Sequence, residues 1–335
     1  MLFPFTRPAV LAAISGYLKI EPTYESNVFE TTDSVQADAV LPMWLGVHNQ
    51  GFFNKLKYRW DFTGSLAPYY HHSGENKTSF SYHPSLQWEI MPRCMVGTEL
   101  DCFGKFWYRE KRGYFLSHLN VYVRYQRGNN LVGFGYSTGA DRFAVRSHFN
   151  NNLSGFFIET ALVPVAAVSI INTFALRKVF YPERRVASYS LIDSLIDDFQ
   201  CDRMLIFHQG FEFRSGSLTG INLKIIKNSS NNSLADFTQV GLDWYHSRHY
   251  RNFYLNVLLE ISIKKYSEKL KHIDLRYNPD PEQNIQNQLA LGWEYPLTSD
   301  LAVTGKCGVM RSETQYSARY YWKSLFALGV QKTFD

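Results

Sequence analysis

The chain has 335 residues, 45% of them hydrophobic and 16% aromatic, and 35 basic against 30 acidic side chains leave a net charge of +5. Charge this small and this mixed gives no basic stripe, so nucleic acid is not an expected partner. Mean hydropathy is only −0.26, and no run approaches the roughly 18 apolar residues of a membrane-spanning helix.

The first candidate strands span 14–25, 38–48, 55–68 and 78–90. Pro22, Pro42, Pro68 and Pro84 fall inside them, and each removes a ladder hydrogen bond. They mark bulges, strand ends that outrun a membrane, or two misdrawn strands. Further along, alternation becomes regular. In 95–108, Val96, Leu100, Cys102 and Phe106 interleave with Gly97, Glu99, Asp101 and Lys105. Strands at 116–126, 131–138, 153–163 and 166–177 follow. In 204–214, Leu205, Phe207, Phe211 and Phe213 interleave with His208, Gly210, Glu212 and Arg214. The pattern repeats over 218–227, 237–246, 251–265, 285–296, 301–311 and 321–334, which makes sixteen strands, or fourteen if two near the N-terminus are misdrawn.

Side chains on a strand alternate between faces, so each segment has one apolar face and one small or polar face. Many of the segments have about 9–11 residues, the length a tilted strand needs to cross a bilayer. Connections alternate between short (Met91–Cys94, Gly128–Asn130, Ser215–Ser217) and long (Gly139–Asn152, Arg177–Arg203, Tyr266–Asn284). A β-sandwich is expected to have shorter strands and a charged outer face. A propeller needs a repeat of roughly 40–45 residues, and none is found.

The last segment, Trp322–Phe334, places Trp322, Phe326, Leu328, Val330 and Phe334 on one face, and only Asp335 follows. It resembles the closing strand of Gram-negative bacterial outer-membrane β-barrels of the porin-like kind. The resemblance implies an all-β, closed antiparallel transmembrane barrel of about sixteen strands in the bacterial outer membrane. Residues 13–335 form that barrel and 1–12 an N-terminal periplasmic segment. Met1–Gly16 is too short and too interrupted by Pro4 and Pro8 for a signal peptide. A mitochondrial barrel is the alternative; Gly329 and Phe334 fit its C-terminal pattern, but Lys332 does not. The expected partners are outer-membrane lipids, the barrel-assembly machinery acting on the strand that ends at Phe334, and small polar solutes or a polymer.

The polar face collects Arg59, Asp61, Glu99, Asp101, Lys105, Arg124, Glu212, Arg214, Lys224, Asp243, Glu260, Lys264, Glu294 and Lys306. These are the candidate pore-lining residues, able to polarise water and sort solutes by charge. The competing reading is a structural network of paired charges. Within the loop Arg177–Arg203, Leu191, Ile192, Leu195, Ile196 and Phe199 have helical spacing. A short inward-folded helix there makes Asp193, Asp197 and Asp198 a candidate constriction, with an external helical cap as the alternative.

Tyr69–Asn76 resembles the His-containing segment of outer-membrane phospholipases. That resemblance makes His72 and Ser73 weak catalytic candidates, although no nucleophile–base–orienter set can be assembled from them. Tyr24–Phe29 resembles a segment of barrels that follow helical-repeat modules in polysaccharide or surface-protein export. Cys94, Cys102, Cys201 and Cys307 show neither CxxC nor metal spacing, so no disulfide, metal or cofactor is expected. The functional expectation is an outer-membrane channel for small polar solutes or an exported polymer. An outer-membrane lipid-modifying enzyme or a plugged structural barrel is the alternative.

Overall fold

A computed structural model describes residues 14–28, 35–108, 113–144, 147–189, 195–232, 235–267, 287–312 and 321–334. Its strands are β1 (Ser15–Ile20), β2 (Thr23–Glu25), β3 (Asp38–Val40), β4 (Met43–Phe53), β5 (Leu56–Ala67) and β6 (Lys77–Met91). They continue as β7 (Cys94–Trp107), β8 (Gly113–Arg127), β9 (Asn130–Phe143), β10 (Asn151–Val165), β11 (Val168–Tyr189) and β12 (Leu195–Arg214). The last six are β13 (Ser217–Ser230), β14 (Phe237–Tyr250), β15 (Phe253–Tyr266), β16 (Asn287–Pro296), β17 (Leu301–Ser312) and β18 (Tyr321–Phe334).

Every neighbouring pair is antiparallel, and β1 pairs with both β4 and β18, so the sheet closes on itself. β1 and β2 both run along β18 and form one stave interrupted at Glu21–Pro22; β3 and β4 form a second, interrupted at Leu41–Pro42. The result is a closed barrel of sixteen strands. The prolines explain the breaks. Each lacks an N–H, yet Pro22 O accepts from Leu328 N at 3.2 Å and Pro42 O from Glu21 N at 3.0 Å. The staves therefore stay joined across the gap, and the fourteen-strand alternative falls. Pro84 sits within β6 opposite Trp60, and the β6–β7 ladder skips from Tyr82 to Ser85.

The apolar face of every stave points outward. Phe134 is 54% exposed, Leu328 50% and Ile263 71%. No aqueous protein carries a belt of large apolar side chains this extensive, whereas in a bilayer the same belt is the lipid contact. The most deeply enclosed large side chains, Tyr114 and Tyr122, instead point into the barrel. Among the described residues no helix is long and apolar enough to cross a membrane; the strands do the crossing.

One end of the barrel is built from tight turns. Asn54, Arg93 and Arg251 adopt positive φ there, and so do Gly128 and Gly216. Asn and Gly enter the left-handed region readily, while the two arginines are held in it by the flanking ladders. In the turn before β17, Thr298 Oγ1 donates to Asp300 Oδ1 at 2.7 Å and holds that exposed carboxyl below its ordinary range. Short turns on one side and long connections on the other make the tight-turn end periplasmic.

The structure corrects one expectation. Part of the segment read as a loop with a helix over Ser190–Phe199 is strand: Lys178 pairs with Arg203, Phe180 with Cys201, and Val186 with Asp198. Leu195, Ile196 and Phe199 satisfy helical spacing, but a partner strand offers each backbone group a ladder bond, and pairing overrides local periodicity. The irregularity between Phe180 and Arg185 falls at Pro182, which has no N–H to give. Asp197 and Asp198 therefore extend the wall of a long hairpin, with Asp198 exposed. Asp193 lies outside the described residues, as do residues 1–13.

Leu242 lies mid-stave on the outer face between Leu223 and Ile261. Leu242→Arg is expected to lower unfolding free energy by about 2–4 kcal/mol. The same change at inward-facing Gln239 is expected to shift it by less than about 1 kcal/mol. Guanidinium titration of protein refolded into vesicles measures both.

Candidate functional site

The inner wall is the site, and its geometry follows from the two-residue repeat. All the charged residues predicted for the polar face project from the side opposite the exposed apolar belt, and they are spread around the barrel. Arg59 Nε donates to Asp61 Oδ2 at 2.7 Å on β5. Asp101 on β7 faces His83 Nδ1 at 2.8 Å. Lys105 is buried with its ammonium 5.0 Å from the Trp107 ring. Lys264 sits 4.0 Å from the ring of Phe237.

The densest network lies on β6, β7, β8 and β10. Arg124 donates from Nη1 to Glu99 at 3.1 Å, from Nη2 to Glu159 at 3.2 Å, and through Nε to Glu159 as well. Its guanidinium stacks 3.7 Å from the Tyr122 ring, whose hydroxyl donates to Glu99 at 2.8 Å and accepts from Gln87 at 3.0 Å. Arg124 and Glu159 are two strands apart with Gly133 between them. A Cβ on Gly133 would lie 2.7 Å from Glu159 Cγ, so only glycine leaves the slot that lets the ion pair span it.

The same construction recurs on the far wall. Glu212, Gly220 and Tyr245 form one row across β12, β13 and β14. The Tyr245 ring lies over Gly220, where a Cβ would meet it at 2.1 Å, and its hydroxyl donates to Glu212 at 2.7 Å. Arg214 donates to the same carboxylate at 2.9 Å. Asp243 and Glu260 stand directly opposite one another on β14 and β15, and Gln288 donates to Glu260. Lys224 on β13 is the nearby cation.

Sequence reading did not single out Lys19, Glu21, Glu25 or Lys323. They pair as Lys19–Glu21 and as Lys323–Glu25 at 3.1 Å, and Tyr69 Oη donates to Glu25 at 3.0 Å. The signal available for them was parity, obscured around Pro22 for Lys19, Glu21 and Glu25 and plain for Lys323, which lies on the polar parity of the last strand. Together with Trp44, Lys77 and Lys105, Glu21, Glu25 and Lys323 border an interior cavity of about 430 Å³. A second, of about 420 Å³, is bordered by Lys19, Asn256, Glu294 and Gln331, and it shares Glu21, Gln288 and Lys306 with the first. The inner wall is not uniformly polar: Ala175, Ile206, Ile226 and Phe237 form an apolar cluster toward the external side.

His72 and Ser73 sit at the external mouth. The Asp38 carboxylate, its side chain fully buried, accepts backbone N–H bonds from His71 at 3.0 Å and His72 at 2.8 Å. The two imidazoles also lie on it, with Nδ1 at 3.1 and 3.0 Å. His72 Nε2 lies 2.7 Å from Gln36 Oε1, so among the described residues its two ring nitrogens lie on Asp38 and Gln36. Asp38 thus pins the Tyr69–Asn76 connection to the rim, helped by Asn76 Oδ1, which accepts from Tyr69 N at 2.7 Å. Among the described residues no group of three or more potential metal ligands is assembled.

No family model and no curated protein matches the sequence. Solved structures do match. The chain is similar to the outer-membrane-expressed OmpT of Vibrio cholerae, at 10% identity and TM-score 0.52, over 96% of this chain and 97% of that one. An in-vitro folded trimer form of OmpT matches at 8% identity and TM-score 0.51, over 98% and 100%. A bacterial polysaccharide outer membrane secretin matches at 10% identity and TM-score 0.47, over 96% and 98%. The fold is that of a bacterial outer-membrane β-barrel.

Asp38→Ala removes the acceptor of two N–H groups at once. It is expected to destabilise the barrel by about 1–3 kcal/mol and to speed cleavage within Tyr69–Asn76, read by unfolding titration and limited proteolysis. Arg124→Ala leaves Glu99 and Glu159 facing each other without their cation. A loss of similar size, about 1–3 kcal/mol, is expected, recovered in part when Glu159→Gln is added.

Proposed function

We propose that the protein is a porin-like channel that passes small polar solutes, or the chain of a polar polymer, through the barrel. The observation that carries this reading is the pair of adjoining interior cavities that share Glu21, Gln288 and Lys306. They are bordered by ionisable side chains from many staves. A hydrated solute entering such a space exchanges water contacts for fixed charges and hydroxyls of both signs. Its desolvation is offset along the path, while an apolar solute gains nothing.

Much of the wall is self-paired, through Arg124 with Glu99 and Glu159, Arg214 with Glu212, and Lys323 with Glu25. Paired charges present dipoles rather than net charge, which supports weak ion selectivity and sorting chiefly by size. The Asp243–Glu260 pair is the exception, since two carboxylates stand side by side with Lys224 as the nearby cation. It is the candidate determinant of whatever cation preference exists.

Nothing observed favours the lipid-modifying alternative. His72 is committed to Asp38 and Gln36, and a base so occupied has no free nitrogen to take a serine proton.

Single-channel recording in planar lipid bilayers tests the reading. Steady open-channel currents are expected, and a folded protein that never conducts overturns it. Asp243→Asn with Glu260→Gln is expected to shift the cation-to-anion permeability ratio about twofold toward anions, measured as reversal potential in a salt gradient.

A further inference from the structure

The apolar belt ends differently on different walls of the barrel. Along β5, β6 and β7 its external edge is the row Leu66, Thr78 and Phe106, which carries no charge. On β10 to β15 the next outward residue beyond the belt is Ser154, Lys178, Arg203, Lys227, Thr238 and Lys265 in turn. Each cation stands two residues from an apolar side chain of its own strand: Lys178 from Leu176, Arg203 from Leu205, Lys227 from Ile225 and Lys265 from Ile263. Residues two apart share a face, so all four point outward. The strand ends that carry them lead into the long connections, which places the cluster on the external side.

Every member of this edge can donate a hydrogen bond, and none is a carboxylate. All four cations are exposed, and among the described residues none makes a side-chain hydrogen bond or ion pair. Other outward arginines at this end are occupied. Arg142 on β9 donates to Asn151 O at 2.6 Å and to Asn152 Oδ1 at 2.7 Å, and Arg311 on β17 lies 5.4 Å from the ring of Trp322. The Asp236 carboxylate, just before β14, accepts from Ser230 N at 2.6 Å. Lys178 stands directly opposite Arg203, and like charges in that position destabilise a ladder unless an anion compensates them.

We propose that this edge binds a phosphorylated lipid of the external leaflet. Two features select a lipid over a soluble anion. The cations adjoin the apolar belt directly, so one molecule can set its phosphates among them and lay its acyl chains over Leu176, Leu205 and Ile263. The level is also that of the headgroups, where anionic lipid attracts each lysine or arginine near the membrane surface. The Arg203 fork suits two phosphate oxygens, and the lysines neutralise charge from either side. Neighbouring strands lie about 4.8 Å apart, so β11 to β15 span roughly 19 Å, which favours a headgroup with more than one phosphate.

The test uses the full refolded chain in a neutral detergent, with bound lipid counted by native mass spectrometry. The probes are lipid A with both phosphates, the same lipid with its phosphates removed, and inorganic phosphate. Retention of the diphosphorylated lipid alone is expected. Lys178→Gln with Arg203→Gln is expected to weaken its binding about tenfold. Arg248→Gln with Lys332→Gln removes the same charge from the outward face at the periplasmic edge, and its binding is expected to stay within about twofold of the unaltered chain. Equal retention of the phosphate-free lipid, inorganic phosphate bound as tightly as the lipid, undiminished binding in the Lys178 and Arg203 variant, or an equal loss in the periplasmic variant overturns the proposal. The comparison of probes on the unaltered chain stands even if a variant fails to fold.

Discussion

Everything in this molecule depends on the ladder between β1 and β18. Within hydrocarbon an unpaired backbone N–H or carbonyl has no water to turn to, so an open sheet edge is not tolerated there. Gly16 opposite Phe334 and Ile20 opposite Val330 close that edge with the two ends of the described chain. Closure then dictates the rest. Each stave has an inside and an outside, the strand repeat assigns every side chain to one of them, and the interior must be filled or wetted by whatever falls there.

The interior is organised by spacing between rows as much as by charge. Where a long polar side chain must reach a partner two strands away, the intervening position is glycine, as at Gly133 beneath Arg124 and Glu159 and at Gly220 beneath Tyr245 and Glu212. These slots let ion pairs and tyrosine–carboxylate bonds brace the wall, and the cavities lie alongside them. At the external rim a buried carboxylate, Asp38, takes over the task and ties a long connection down through two amides and two imidazoles. The outer surface has the opposite logic, a largely apolar belt in which Asn172 and Thr160 meet each other by a hydrogen bond.

Prolines and long hairpins mark where one-dimensional reading reached its limit. Pro22 and Pro42 read as possible evidence against strands, yet they interrupt staves whose carbonyls still bond across the gap. The segment after Arg177 read as loop and helix because Leu195, Ile196 and Phe199 have the right spacing; a strand partner, invisible to local periodicity, made the described part an extended hairpin. His72 could be listed as a candidate base, but its neighbours Asp38 and Gln36 lie more than thirty residues away in the chain, and only they reveal it as an anchor.

Alternation by itself determined the fold class, a count of sixteen or fourteen staves and which side chains face lipid, because a strand has only two faces and lipid refuses charge on one of them; the joined proline-broken staves settled sixteen. It could equally assign Glu99, Arg124, Glu212 and Glu260 to the inner face. Which of these meet was decided only by the tertiary structure, because pairing depends on register and on glycine slots between strands. The place of Lys19, Glu21, Glu25 and Lys323 and the alignment of Asn172 with Gln209 were settled the same way. Those relations join residues far apart in the chain, and no local repeat encodes them.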